Sequence, residues 1–124
     1  MENLRVIQTS SIDLVADSLK YILLQNDVYR DFEGSINYNE SQIWVLSFMK
    51  SKCIGFICYD EKNILYIYTL PIYREKRVLS RMWEYVKSGE YSVLANNNSK
   101  HFFETKGFEI TKSYKKWHKM TNKK

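Results

Sequence analysis

Residues 66–85 read YIYTLPIYREKRVLSRMWEY, and this stretch sets the fold. Its first part, through Leu70, is aromatic and β-branched, the composition of a buried strand. Pro71 ends the run, because proline cannot donate to a strand ladder. The apolar period then changes to a helical one. Val78, Met82, Tyr85 and Val86 fall on one helical face and predict a helix over 78–86, with Gly89 as its stop. A short strand follows over 91–95 (YSVLA). A strand, a helix and a second strand in this order make a right-handed crossover between parallel strands.

Working outward, residues 43–49 (IWVLSFM), 53–59 (CIGFICY) and 64–70 (ILYIYTL) are three apolar runs joined by short polar turns at 50–52 and 60–63. Connections this short give antiparallel hairpins, hence a meander. Upstream lie a strand over 4–9 and a helix over 12–24. Ser10, Ser11 and Asp13 suit the helix start, and Ile12, Val15, Leu19, Ile22 and Leu23 form its stripe. Residues 27–38, broken by Gly34, have room for a short helix and a loop. Downstream are a helix over 99–105 with Gly107 past its end, strands over 108–111 and 114–120, and a polar tail over 121–124. The class is α+β (α/β mixed), a mixed sheet flanked by helices. The 124 residues fit a single domain, 1–124. Hydrophobic residues at 44% and charged residues at 27% exclude collagen-like and disordered chains.

Cys53 and Cys58 are an odd number of residues apart, so on a strand they face opposite ways and form no local disulfide or metal pair. They read as buried reduced thiols, and with no signal or membrane-spanning run the expected location is the cytoplasm. No His/Cys spacing suits zinc, so no metal is expected.

With 19 Lys and Arg against 14 Asp and Glu, the net charge of +5 favours an anionic ligand. Arg74, Lys76, Arg77 and Arg81 surround the start of the 78–86 helix, where backbone N–H groups gather. Arg74, Arg77 and Arg81, spaced by three and four, line one side if the loop is helical, and guanidinium forks match phosphate. A solvated basic helix start is the competing interpretation.

The order of elements resembles the GNAT superfamily of N-acyltransferases, most closely over 43–120. In that family a loop of pattern Arg/Gln-x-x-Gly-x-Gly/Ala holds the pyrophosphate of acetyl-CoA. Thr69, Leu70, Pro71, Ile72, Tyr73 and Arg74 match the strand end and the opening Arg. Arg77 and Leu79 stand at the glycine positions, and a bulky loop residue flanked by arginines is similar to phage-encoded relatives. Asn96 matches the family's Asn at the next strand end. Phe103-Glu104-Thr105-Lys106-Gly107-Phe108 matches its Tyr-x-x-x-Gly-Phe ending, with Phe103 in place of the Tyr proposed to protonate the departing thiolate.

The resemblance implies a mostly antiparallel twisted sheet with a V-shaped splay between its central strands. It implies acetyl-CoA as cosubstrate, held by Thr69, Leu70, Arg74, Arg77, Val78, Leu79, Ser80, Arg81, Asn96 and Phe103. A backbone N–H near Leu70 would polarise the thioester carbonyl. The acyl group would pass by direct attack to a primary amine of a small molecule, a protein or a nucleic-acid base, without a metal. Tyr68 and His118 are the candidates for taking the amine's proton; packing and a surface imidazole are their competing roles. A homodimer is a common assembly for soluble proteins. The alternative is a catalytically silent member of this fold that binds a protein or nucleic acid. It is motivated by Phe103, the missing glycines and the Lys112, Lys115, Lys116, Lys119, Lys123 and Lys124 cluster with Tyr114 and Trp117. A basic edge that discourages strand aggregation is the plainer account of those lysines.

Overall fold

The computed structural model describes residues 3–23, 36–74, 77–97 and 99–123. Most of the helix and loop expected over 27–38 lies outside these residues, as do Lys76 and Lys124. The strands are β1 (Leu4–Thr9), β2 (Ile43–Met49), β3 (Lys52–Tyr59), β4 (Asn63–Thr69), β5 (Ser92–Asn96), β6 (Glu109–Ser113) and β7 (Trp117–Thr121). The helices are α1 (Ile12–Leu23), α2 (Val78–Trp83) and α3 (Lys100–Thr105), and a 3-10 turn spans Pro71–Tyr73. The sheet order is β1-β2-β3-β4-β5-β7-β6. Pairing is antiparallel for β1 with β2, β5 with β7 and β6 with β7, and parallel for β4 with β5, as the crossover requires. The parallel ladder is short: its register runs only from Asn63↔Ser92 to Ile64↔Val93. Among the described residues no helix is long and apolar enough to cross a membrane.

The chain divides into two compact units, residues 1–58 with 66–87, and residues 59–65 with 88–124. In the first, Ser11 caps α1: its Oγ accepts from Leu14 N at 3.3 Å and its carbonyl from Val15 N at 3.1 Å. The α1 stripe Val15, Leu19 and Ile22 is fully buried, each side chain adding about 1.5–3 kcal/mol by leaving water. β3 is buried from Cys53 to Tyr59 on both faces, which is why it reads as an unbroken apolar run. Gly55 is required there by close approach. A Cβ at that position would lie 2.9 Å from the Tyr68 carbonyl oxygen and 3.2 Å from Met82 Cε of α2.

Helix α2 stops at Trp83, short of the expected Val86. Tyr85 N and Val86 N bond to Met82 and Trp83 carbonyls, three residues back, so the chain tightens into turns instead of continuing. The backbone bond Leu70 N to Ile54 O, at 2.9 Å, extends the pairing of β3 with the end of β4.

In the second unit, α3 lies on β5, and Val93, Ala95, Phe103, Phe108 and Met120 are buried. Helix α3 ends in a Schellman motif. Gly107, at φ 87°, sends its N–H to Glu104 O, and Phe108 N–H reaches Phe103 O at 3.0 Å. The hydrophobic contact that accompanies this motif is Phe103 on Phe108, with ring centroids 5.2 Å apart. β7 begins at Trp117, later than the sequence pattern suggests. Tyr114 N bonds to Trp117 O at 2.7 Å and closes a tight connection, so Lys115 and Lys116 sit in a bend. Strand alternation therefore begins only at Trp117.

Candidate functional site

The first unit gathers most of the candidates at the end of β4. A row of rings leads to it. Tyr38 and Trp44 lie 5.8 Å apart, Trp44 and Tyr66 are stacked at 5.9 Å, Trp44 meets Phe56 at 5.7 Å, and Phe56 meets Tyr68 at 6.0 Å. Buried Gln42 pins the start of this row. Its Oε1 accepts from Trp44 Nε1 at 3.2 Å and Asn39 N at 3.1 Å, and its Nε2 donates to Asn37 O at 2.7 Å. Tyr66 Oη accepts from Asn37 N at 3.0 Å. Burial, and secondarily the nearby Tyr66, raise the Tyr38 hydroxyl above its ordinary 10.0. Gln42 carries no sequence signal; a single Gln before a strand resembles any polar loop residue.

Arg74 follows the 3-10 turn. That turn is closed by Tyr73 N to Leu70 O at 2.9 Å and Arg74 N to Pro71 O at 3.2 Å. Closing it swings Arg74 back over the strand end. Its Nε donates to Thr69 O at 2.9 Å, and its Cζ lies 5.3 Å from the Tyr68 ring centre, a cation–π distance. Tyr68, Thr69, Leu70 and Arg74 thus form one corner. The Tyr68 ring is buried and packed, as its competing role required. Leu70 N–H is already spent on Ile54 O, so it is not the donor for a thioester carbonyl. The Thr69 hydroxyl is buried with no hydrogen-bond partner among the described residues.

Arg77 caps α2 at φ 60°, ψ 19°, the left-handed conformation. This is a glycine position of the family loop, and the backbone here keeps a glycine-like shape at a cost of about 1–2 kcal/mol for an L-residue. The Arg77 side chain is exposed and makes no cap bond. Val78 is fully buried, so it serves the core; Leu79 is half-buried, and Ser80 and Arg81 are exposed.

The second unit treats its candidates differently. Asn96 Oδ1 accepts from Ser99 N at 2.8 Å and Ser99 Oγ at 3.1 Å, fixing the entry into α3. His118 Nε2 lies 2.7 Å from Asn97 Oδ1, which only accepts, so Nε2 carries the proton. Nδ1 is then the acceptor for Ser113 Oγ at 3.0 Å, and both ring nitrogens are committed. Phe103 is fully buried, with its ring against Phe102 at 5.4 Å and Phe108 at 5.2 Å. An enclosed ring presents no face to a cosubstrate, and the helix stop accounts for it. Among the described residues no three His, Cys, Asp or Glu side chains gather as a metal site.

No protein-family model and no curated protein matches the sequence. Solved structures do match it. A GNAT-family acetyltransferase of Staphylococcus aureus superposes with a TM-score of 0.70 at 11% identity, covering 97% of this chain and 99% of its own. The PaiA N-acetyltransferase of Thermoplasma acidophilum, solved with coenzyme A, gives 0.65 at 14%, with 97% and 99% covered. Arabidopsis thaliana Naa50, solved with a bisubstrate analogue, CoA-Ac-MVNAL, gives 0.63 at 16%, with 98% and 99% covered. The likeness runs end to end in both partners, while the identities are too low to carry residue roles across. Element order, mixed sheet and full-length superposition agree: this chain has the fold of the GNAT N-acetyltransferases.

Proposed function

We propose that the protein is an N-acyltransferase that moves an acetyl group from acetyl-CoA to a primary amine by direct attack. The observation that carries this reading is the β4 corner. There Arg74 folds over Thr69 and Tyr68, and a buried hydroxyl has no partner among the described residues, on a fold whose solved examples include coenzyme A complexes. The residues present suit such a ligand: Arg74, Arg77 and Arg81 for its diphosphate and the end of β4 for the acyl arm.

Acetyl-CoA would supply the acyl carbon and a thiolate leaving group. The amine nitrogen forms the new C–N bond as the C–S bond breaks, and the nitrogen gives up one proton. The proposed acceptor is Tyr68, which belongs to the corner itself and takes the proton as its phenolate. His118 would first have to surrender its bond from Ser113. The test is calorimetry with acetyl-CoA, followed by thiol release over a panel of amines. Saturable heat at micromolar to millimolar ligand supports the reading, and no heat or thermal shift at millimolar ligand removes it.

A second reading, a catalytically silent member of this fold that binds a protein or nucleic acid, is favoured by the enclosed Phe103 and the committed His118 nitrogens. It predicts acetyl-CoA binding without thiol release for any amine.

A further inference from the structure

Strands β5, β7 and β6 carry two rows of side chains on the face of their sheet opposite α3. Val93, Ala95 and Met120 are buried on the side that α3 covers. Side chains alternate along a strand, so the residues between them point the other way. One row there is Leu94, Lys119 and Lys112, which the registers set directly opposite one another. The next is Asn96, Trp117 and Tyr114, the last joined by Tyr114 N–H to Trp117 O at 2.7 Å. The rows are two residues apart along the strands, about 7 Å. Leu94 is 55% exposed and Tyr114 49%. Lys112 and Lys119 are exposed and Trp117 is half-buried. Lys112 Nζ lies 5.2 Å from the Tyr114 ring centre, which puts that ring on the lysine's face.

The pairing of Lys112 with Lys119 works against the fold, because like charges directly opposite on neighbouring strands are destabilising. A bulge between Ile110 and Lys112 creates the match. Thr111 is the extra residue, and its Oγ1 donates to Lys119 O at 3.2 Å. Protection of a sheet edge accounts for Lys112, on the outermost strand β6. It does not account for Lys119, because β7 is paired on both sides, by β5 and by β6. Residues 109–123 also hold Lys115, Lys116 and Lys123, all exposed, against a single acidic residue, Glu109. Among the described residues none of these lysines forms an ion pair. Uncompensated cations suit an anionic partner, and the flat rings beside them suit a partner with flat groups.

We propose that this face binds single-stranded nucleic acid. Lys112, Lys119 and the hairpin-tip pair Lys115 and Lys116 meet phosphates, and Tyr114 and Trp117 stack on bases, as aromatic side chains on an open sheet face do in single-strand binders. The bases of a single strand are free to lie on the rings; those of a duplex are not. An acidic peptide would satisfy the lysines and leave the rings without a flat partner. The hairpin is also held in register before a ligand arrives. His118, on the α3 side, ties β7 to Ser113 of β6 and to Asn97 just past β5. The inference is independent of acyl transfer at the β4 corner, and it gives the second reading its surface and its partner.

The test is fluorescence anisotropy of the full chain with labelled single strands of DNA and of RNA, about 16 nucleotides long, and with the matching duplex. At about 50 mM salt we expect saturable binding of one or both single strands, and roughly tenfold weaker binding of the duplex. The logarithm of affinity should fall with that of salt at a slope of about −2 to −3, three or four phosphates at about −0.7 each. Lys119→Thr keeps a strand-forming side chain. It should make the slope shallower by about 0.7 and hold or raise the melting temperature, since the like-charge pair is relieved. Tyr114→Ala should weaken binding about fivefold with the slope unchanged, and Tyr114→Phe should restore it. Absent single-strand binding, or a duplex bound as tightly, overturns the proposal and leaves the acyltransferase reading standing. An equal loss in Lys20→Ala, at an exposed lysine of α1, also overturns it by marking net charge alone. Polyglutamate that displaces the label as well as unlabelled oligonucleotide does so too, by marking an acidic-peptide surface.

Discussion

The ends of β4 and β5 both carry polar side chains and treat their polar atoms in opposite ways. At the end of β5, Asn96 closes on Ser99, Asn97 on His118, and His118 on Ser113. At the end of β4, an arginine lies over the strand, a left-handed Arg77 opens the next helix, and a buried hydroxyl has no partner among the described residues. A region that satisfies itself is a scaffold; a region that keeps an unsatisfied group and tolerates strain is where a ligand completes the structure. The proposed chemistry therefore belongs to the β4 corner, with His118 and Phe103 proposed as support.

The largest effect that would sharpen this contrast is on stability. Phe103→Ala should cost about 3–5 kcal/mol in denaturant unfolding, the price of an enclosed aromatic cavity. Phe103→Tyr should lose about 1–3 kcal/mol by burying a hydroxyl, with no gain in thiol release. A stable Phe103→Tyr with faster turnover would break the comparison, since Phe103 would then face the reaction. Arg74→Ala comes next: acetyl-CoA affinity should fall roughly 10- to 100-fold by calorimetry, as expected when a charged hydrogen-bonding group is lost. An unchanged affinity would remove the arginine from the ligand's path.

A third prediction concerns pH. Burial pushes the Cys53 thiol from 9.0 up to about 12. The folded chain keeps this proton where the unfolded chain has lost it, so the contribution is intact below about pH 9 and declines as pH rises toward 12. The slope is up to about 1.4 kcal/mol per pH unit. Denaturant unfolding at pH 8 and pH 10 should show the loss in the wild type and a smaller one in Cys53→Ala. Equal losses would mean that Cys53 is not sealed in the folded state. The smallest effect is at Arg77. Arg77→Gly should raise stability by up to about 1 kcal/mol by relieving the left-handed residue, and weaken acetyl-CoA by removing a guanidinium. A gain in both would show that the side chain crowds the ligand.

The sequence carried the strands and their order because hairpin turns and apolar runs are local signals. It overran α2, since Tyr85 and Val86 keep the helical period while their N–H groups turn back by three residues, a choice the period does not encode. The basic loop was legible from charge, but the fold of Arg74 onto Thr69 O depends on how the Pro71–Tyr73 turn closes. The spacing of Phe103, Gly107 and Phe108 already contained the helix stop. Read as a replaced acid, Phe103 looked functional; read as a Schellman contact, it is structural. The unpaired Thr69 oxygen had no signal at all, because a partner's absence is a property of packing.

Amide chemical-shift mapping during an acetyl-CoA titration tests the central claim most directly. The account predicts saturable shifts that are largest for Tyr68, Thr69, Arg74, Arg77 and Arg81, with Ser113 and His118 nearly still. Shifts confined to Glu109–Thr121, or none at millimolar ligand, would contradict it.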